Sequence, residues 1–109
     1  MLSVEEILKA NDTTVQTVPC PEWGGEVYVG TLTAEERDSI EQAVQQGVPS
    51  RAAIVAESLR TEDGQKVKVS PSERLALSAK ATAPIERIVD AVLKLNKMNA
   101  EQMEVTEKN

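Results

Sequence analysis

The stretch from Pro21 to Asp38, Pro-Glu-Trp-Gly-Gly-Glu-Val-Tyr-Val-Gly-Thr-Leu-Thr-Ala-Glu-Glu-Arg-Asp, leaves the backbone few choices. Gly24-Gly25 can take positive φ, so the chain can reverse there at little steric cost. Val27 and Val29 alternate with Glu26, Tyr28 and Gly30, the period of a strand with one covered face. Thr33 stands three residues before Glu36, so its hydroxyl can accept from the Glu36 amide while the Glu36 carboxylate reaches back to the Thr33 amide. Turn, strand and helix start therefore follow one another without a break, and the rest of the chain has to pack around them.

Upstream, Ser3 and Glu6 have the same capping spacing and predict a short helix from Val4 to about Ala10, with Leu2, Ile7, Val4 and Leu8 on its apolar face. Thr14–Val18 is β-branched at every position but Gln16 and reads as a strand. Pro19 and Pro21 lack amide donors, so regular pairing is expected to stop before Cys20. The result is a hairpin, Thr14–Val18 against Glu26–Thr31, closed by a long loop. An isolated hairpin is marginal in water, so it must lie on helices or gain a further strand.

Downstream, a helix is predicted from Ala34 to about Gln46, with Ile40, Ala43 and Val44 inward and Glu35, Glu36, Asp38, Glu41 and Gln42 mostly outward. Gly47-Val48-Pro49 stops it. Ser50 can cap a largely buried helix over Arg51–Arg60. Thr61–Gly64 is a turn, and Gln65–Val69 alternates in the manner of a short edge strand guarded by Lys66 and Lys68. Ser70-Pro71-Ser72-Glu73 is the strongest helix start in the chain, opening a helix to about Lys80. Pro84 restarts a helix to about Asn96 in which Ile85, Ile88, Val89, Val92, Leu93 and Leu95 recur at spacings of three and four. Asn99 and Gln102 allow a last capped turn over Ala100–Thr106, and residues 99–109 read as a polar, fraying tail. The expected fold class is α+β, one domain over residues 1–109, with a small antiparallel hairpin or three-stranded sheet packed with four to six short helices.

Composition narrows the function. With one Trp, one Tyr and no Phe, the core must be aliphatic. A net charge of −6 opposes phosphate binding, so no nucleic-acid partner is expected. No apolar run nears the ~20 residues of a membrane span, and Met-Leu-Ser-Val-Glu-Glu lacks the basic and apolar regions of a signal peptide, so a cytosolic protein without a membrane partner is expected. Enzymatic chemistry is poorly supplied. There is no His, and the lone Cys20, between two prolines, reads as a small apolar loop residue with nothing to lower its pKa. The acidic pairs Glu5-Glu6 and Glu35-Glu36 sit in first helical turns, where the helix dipole favours them, and Glu62-Asp63 sits in a turn. No cofactor and no metal site is expected.

Protein contact is the chemistry that remains. Trp23, in a loop flanked by Pro and Gly, either plugs the end of the core or stands out as a contact, and Tyr28 is the other ring available to a partner. The stripe of Ile85, Ile88, Val89, Val92 and Leu93 is core first, yet its arc, with the Ala-rich Arg51–Leu59 helix, exceeds what a two-stranded sheet can cover. Residual apolar surface is where a partner or a second copy of the chain would bind.

The opening motif resembles the tail assembly chaperones of long-tailed, siphovirus-type bacteriophages and prophages. The resemblance lies in Pro21–Gly24, Val27–Val29, Leu32-Thr33 and Glu36–Asp38, in that order and spacing. It continues in Arg51-Ala52-Ala53 through Ser58-Leu59, the acidic turn Glu62-Asp63-Gly64, and Leu95-Asn96 with Met98 and an acidic stretch ending in Lys108-Asn109. The chain departs from the family where an aromatic often follows the Asp-Gly turn; here Val67 and Val69 stand instead. The resemblance implies a non-catalytic protein of the host bacterial cytoplasm, absent from the finished virion. It would bind the tape-measure protein, keep it soluble and help recruit tail-tube subunits. It also implies a longer product made by ribosomal frameshifting, for which Glu107-Lys108-Asn109 can be encoded with a slippery A-AAA-AAC run. A small acidic adaptor or regulator unrelated to phage tails would share the same composition and fold class.

Overall fold

The computed structural model describes residues 1–98. The expected turn over Ala100–Thr106 and the expected tail 99–109 lie outside the described residues. Among the described residues, five α-helices, α1 (Val4–Lys9), α2 (Ala34–Gln45), α3 (Ser50–Ser58), α4 (Pro71–Leu77) and α5 (Thr82–Leu95), accompany a three-stranded antiparallel sheet of β1 (Val15–Cys20), β2 (Gly25–Gly30) and β3 (Leu59–Arg60), in the order β1-β2-β3. The class is α+β, as the pattern predicts. Three capping boxes form as the spacing requires, at Ser3/Glu6, Thr33/Glu36 and Ser70/Glu73.

The hairpin differs from expectation at its closed end. β1 runs through Pro19 to Cys20, with Pro19 opposite Glu26 and Cys20 opposite Gly25. The ladder explains why. The Thr31 amide bonds the Thr14 carbonyl at 3.0 Å, which makes that pair hydrogen-bonded and, by alternation, puts Pro19 at a non-hydrogen-bonded position. β1 is an edge strand, so the missing Pro19 N–H would have faced outward and costs the ladder nothing. One turn of 3₁₀ helix, Pro21–Trp23, and Gly24 at φ +78° then reverse the chain.

The third strand is not Gln65–Val69. Helix α3 ends at Ser58, two residues early, and Leu59–Arg60 extend to pair with Val29 and Tyr28. The segment after the Gly64 turn contributes a single bridge, Lys66 to Arg60. Ser50 is the first residue of α3 rather than its cap; Pro49 holds the cap position without a side-chain bond. Helix α4 stops at Leu77 rather than Lys80. Helix α5 begins at Thr82, so Pro84 is its third residue, where no intrahelical amide bond is lost.

Two helix ends share one device. After α2, Gly47 takes φ +98°, its amide bonds Val44 O, and the Val48 amide bonds Ala43 O. After α5, Lys97 takes φ +55°, its amide bonds Lys94 O, and the Met98 amide bonds Leu93 O. Both are Schellman caps.

The core lies between the inner face of the sheet and helices α2, α3 and α5. Val18, Cys20 and Val29 meet Ile40, Ala43, Ala53, Ile54 and Val55, with Ile85, Ile88, Val89 and Val92 closing the other side. Helix α1 takes no part. Every residue from Met1 to Thr17 is exposed, and the predicted apolar face of Leu2, Val4, Ile7 and Leu8 is buried by none of the described residues.

Candidate protein-binding surface

The turn that carries Trp23 is held from below. Arg87 on α5 grips Glu22 with two bonds of 2.9 Å and bonds the Pro19 carbonyl at 3.0 Å. This pairing holds the Glu22 carboxyl well below the usual range, at about 2. Fixed so, the Trp23 ring sits at the surface, 36% exposed, with Lys80 Nζ 6.0 Å from its centroid. That distance allows a weak cation–π attraction. Tyr28, on the outer face of the sheet opposite Thr17 and Arg60, is half-buried.

The α5 stripe packs inward. Ile85, Ile88, Val89 and Val92 are buried and Leu93 is half-buried against the core. Cys20 lies beneath them at 1% exposure, in the strand rather than in a loop, and burial pushes its thiol up.

Besides Trp23 and Val15, apolar surface among the described residues remains in two places. The first is α1, whose Leu2, Val4, Ile7 and Leu8 are 54–79% exposed. The second is a groove of about 170 Å³ between α3, α4 and the first turn of α5, where Pro49, Ala52, Leu77 and Ile85 are joined by the polar Arg51, Ser78, Lys80 and Thr82. Leu75, on α4 two residues before Leu77, is also exposed. Sequence reasoning drew the α1 face, but periodicity carries no information on whether a cover exists.

A charged cluster sits where α2, α3 and β3 meet. Glu36, expected outward, is buried: Arg60 Nη2 donates to its Oε1 at 2.9 Å and Lys66 Nζ to its Oε2 at 2.8 Å, while Lys66 also reaches Glu57 Oε2 at 2.6 Å. Arg60 further bonds the carbonyls of Thr31, Glu57 and Leu59. Burial alone would raise the Glu36 carboxyl; Lys66, the Thr33 amide and Arg60 outweigh it and hold the group below its ordinary value. Two acids and two bases thus cancel, with their polar atoms satisfied, and the cluster ties α2, α3 and β3 together. The sequence held a signal for it. Glu36, Ile40 and Ala43 share the spacing of one helix stripe, so the acid sits in line with buried residues. Among the described residues, no group of three or more Cys, Asp or Glu gathers as metal ligands would, and no helix is long and apolar enough to cross a membrane.

The arrangement of sheet and helices matches a solved structure, that of the bacteriophage HK97 tail assembly chaperone, with a TM-score of 0.61 over 84% of this chain and 91% of that one. The chain shares its fold with that chaperone. The two sequences are 20% identical, so the likeness is one of fold. No family model and no curated protein matches the sequence. The chaperone-type fold places Trp23 at the closed end of the hairpin and leaves α1 clear of the body.

Proposed function

We propose that this chain is a non-catalytic tail assembly chaperone of a long-tailed phage or prophage. It works in the host bacterial cytoplasm, stays out of the mature virion and binds the tape-measure protein, keeping that long helical protein soluble. Through a longer frameshifted product it helps recruit tail-tube subunits. The observation that carries this reading is the HK97 chaperone fold in a body that leaves aliphatic and aromatic surface uncovered. The −6 charge suits the role, because like-charged molecules stay dispersed while their apolar patches cover another protein. Of the residues named from sequence, Trp23 and Tyr28 touch the partner, while Ile85, Ile88, Val89, Val92 and Leu93 build the frame that presents them.

The test is co-expression with the tape-measure protein encoded in the same genome. That protein is expected in the soluble fraction only when this chain is present, and Trp23→Ala is expected to reduce the rescue without unfolding the chaperone. A tape-measure protein that stays insoluble in its presence, or is soluble without it, would overturn the proposal.

A further inference from the structure

The helices cover one face of the sheet. Val18, Cys20 and Val29 turn inward to α2, α3 and α5, so by strand alternation Val15, Thr17 and Pro19 of β1, Glu26 and Tyr28 of β2 and Arg60 of β3 share the other face. Thr17 lies directly opposite Tyr28, and Tyr28 opposite Arg60. The turn after β3 folds over one end of this face, where a β-carbon on Gly64 would stand 3.5 Å from Val15 Cγ2. The rest stays open. Val15 is 41% exposed, Thr17, Pro19 and Glu26 are exposed, and Tyr28 is half-buried.

Two carboxylates frame the ring. Glu26 stands two residues from Tyr28 on the same face of β2, and Glu62 stands two residues past Arg60 in the turn. Both are exposed. The Glu62 charge, then burial, then Glu26 push the Tyr28 hydroxyl above its ordinary value. Among the described residues neither acid pairs with a cation, and Lys68 pairs with neither. The cations beside them are spent: Arg60 on Glu36 and three carbonyls, Lys66 on Glu36 and Glu57. An aromatic ring flanked by two carboxylates is the chemistry that receives Arg or Lys, through cation–π attraction and charge-assisted hydrogen bonds. The same charges select against a second copy, because two such faces in contact would bring four carboxylates together.

We propose that the outer face of the sheet, at Thr17 and Tyr28 between Glu26 and Glu62, receives a segment of the tape-measure protein that carries Arg or Lys beside aliphatic residues. The inference rests on the chaperone reading and names the partner's chemistry at this face. Val15, Tyr28 and the Thr17 methyl supply the apolar floor. The two acids set the register of the partner and make its binding sensitive to salt.

The test is retention of the tape-measure protein of the same genome, co-expressed with the tagged chain, captured and washed with NaCl from about 50 mM to about 500 mM. Circular dichroism checks that each variant keeps its fold. Salt is expected to strip the partner from the unaltered chain. A Glu26→Gln, Glu62→Gln double variant is expected to bind about two- to tenfold more weakly at low salt and to respond less to added salt. Thr17→Arg, which sets a like charge opposite Tyr28, is expected to weaken retention further. Asp90→Lys changes the net charge as much as the double variant does, at an exposed position on α5, and is expected to bind as the unaltered chain does. A double variant that retains the partner with unchanged salt response, or an Asp90→Lys variant that loses as much as the double variant, would overturn this inference and leave the chaperone reading standing. A tape-measure protein that the unaltered chain does not retain at any salt would overturn both.

Discussion

Arg60 and Glu36 meet at 2.9 Å with side chains only 7% and 10% exposed, although they come from a two-residue strand and from the first turn of α2. The Arg60 stem lies across Gly30. A β-carbon there would stand 2.7 Å from Arg60 Nε and 2.9 Å from its Cγ. Gly30 is thus fixed by the approach of a side chain, and the arginine by four acceptor contacts.

Arg60→Ala is expected to destabilise the protein by about 3 kcal/mol, the low end for removing one partner of a buried pair, because Lys66 stays on Glu36. Gly30→Ala is expected to cost about 1–3 kcal/mol by displacing Arg60. In an Arg60→Ala background the Gly30 change should be nearly neutral, so a double-mutant cycle by urea denaturation should return a coupling energy above about 1 kcal/mol.

Acid should unfold the protein through its held carboxylates. Glu36 and Glu22 both have folded values below their unfolded ones. Their contributions are therefore present above the unfolded carboxylate value of about 4.3 and are lost as pH falls through the folded values, for Glu22 near 2. Lys66, raised by Glu36 and Glu57 against the opposing effect of burial, contributes at low and neutral pH and loses its part only as pH rises through its folded value, above 10.5. In Arg87→Gln the Glu22 carboxyl should move up from about 2 towards 4.5, read by carbon-detected NMR titration.

Core and α1 should respond unequally to truncation. Ile88, with no exposed surface, should cost about 2–5 kcal/mol as Ile88→Ala. Leu8, 79% exposed, should change the stability of the monomer by less than about 0.5 kcal/mol as Leu8→Ala. Chemical denaturation at low protein concentration checks both.

Lys97 occupies the left-handed region at φ +55°, which costs an L-residue about 1 kcal/mol that glycine avoids. Lys97→Gly should raise stability by up to about 1 kcal/mol, with part of the gain offset by the freer unfolded chain. A higher denaturation midpoint at unchanged slope is the expected reading.

Local chemistry was legible in the sequence wherever a few neighbouring residues decide it. The capping boxes at Ser3, Thr33 and Ser70 and the turns at Gly24 and Gly64 needed no tertiary information. The inward stripe of α5 followed from spacing alone. What escaped was decided between distant segments. Leu59–Arg60 became a strand because Tyr28 and Val29 pair with it, and two residues are too few for any periodicity to register. Glu36 turned inward because Arg60 and Lys66, far along the chain, neutralise it there. Of the contact surface, Trp23 and Tyr28 were legible as rare rings. The exposure of α1 was not, since the same pattern describes a covered helix and a bare one.

Pro19 has a last effect, on the outer rim of the sheet. The positions of β1 that turn their peptide groups away from β2 are 15, 17 and 19. At the last of these there is no proton to give, and Arg87 already occupies the oxygen. A foreign strand arriving at this rim would find barely three residues on which to zip. Crowded molecules are thereby steered away from runaway amyloid-like stacking, and sociability is left to side chains.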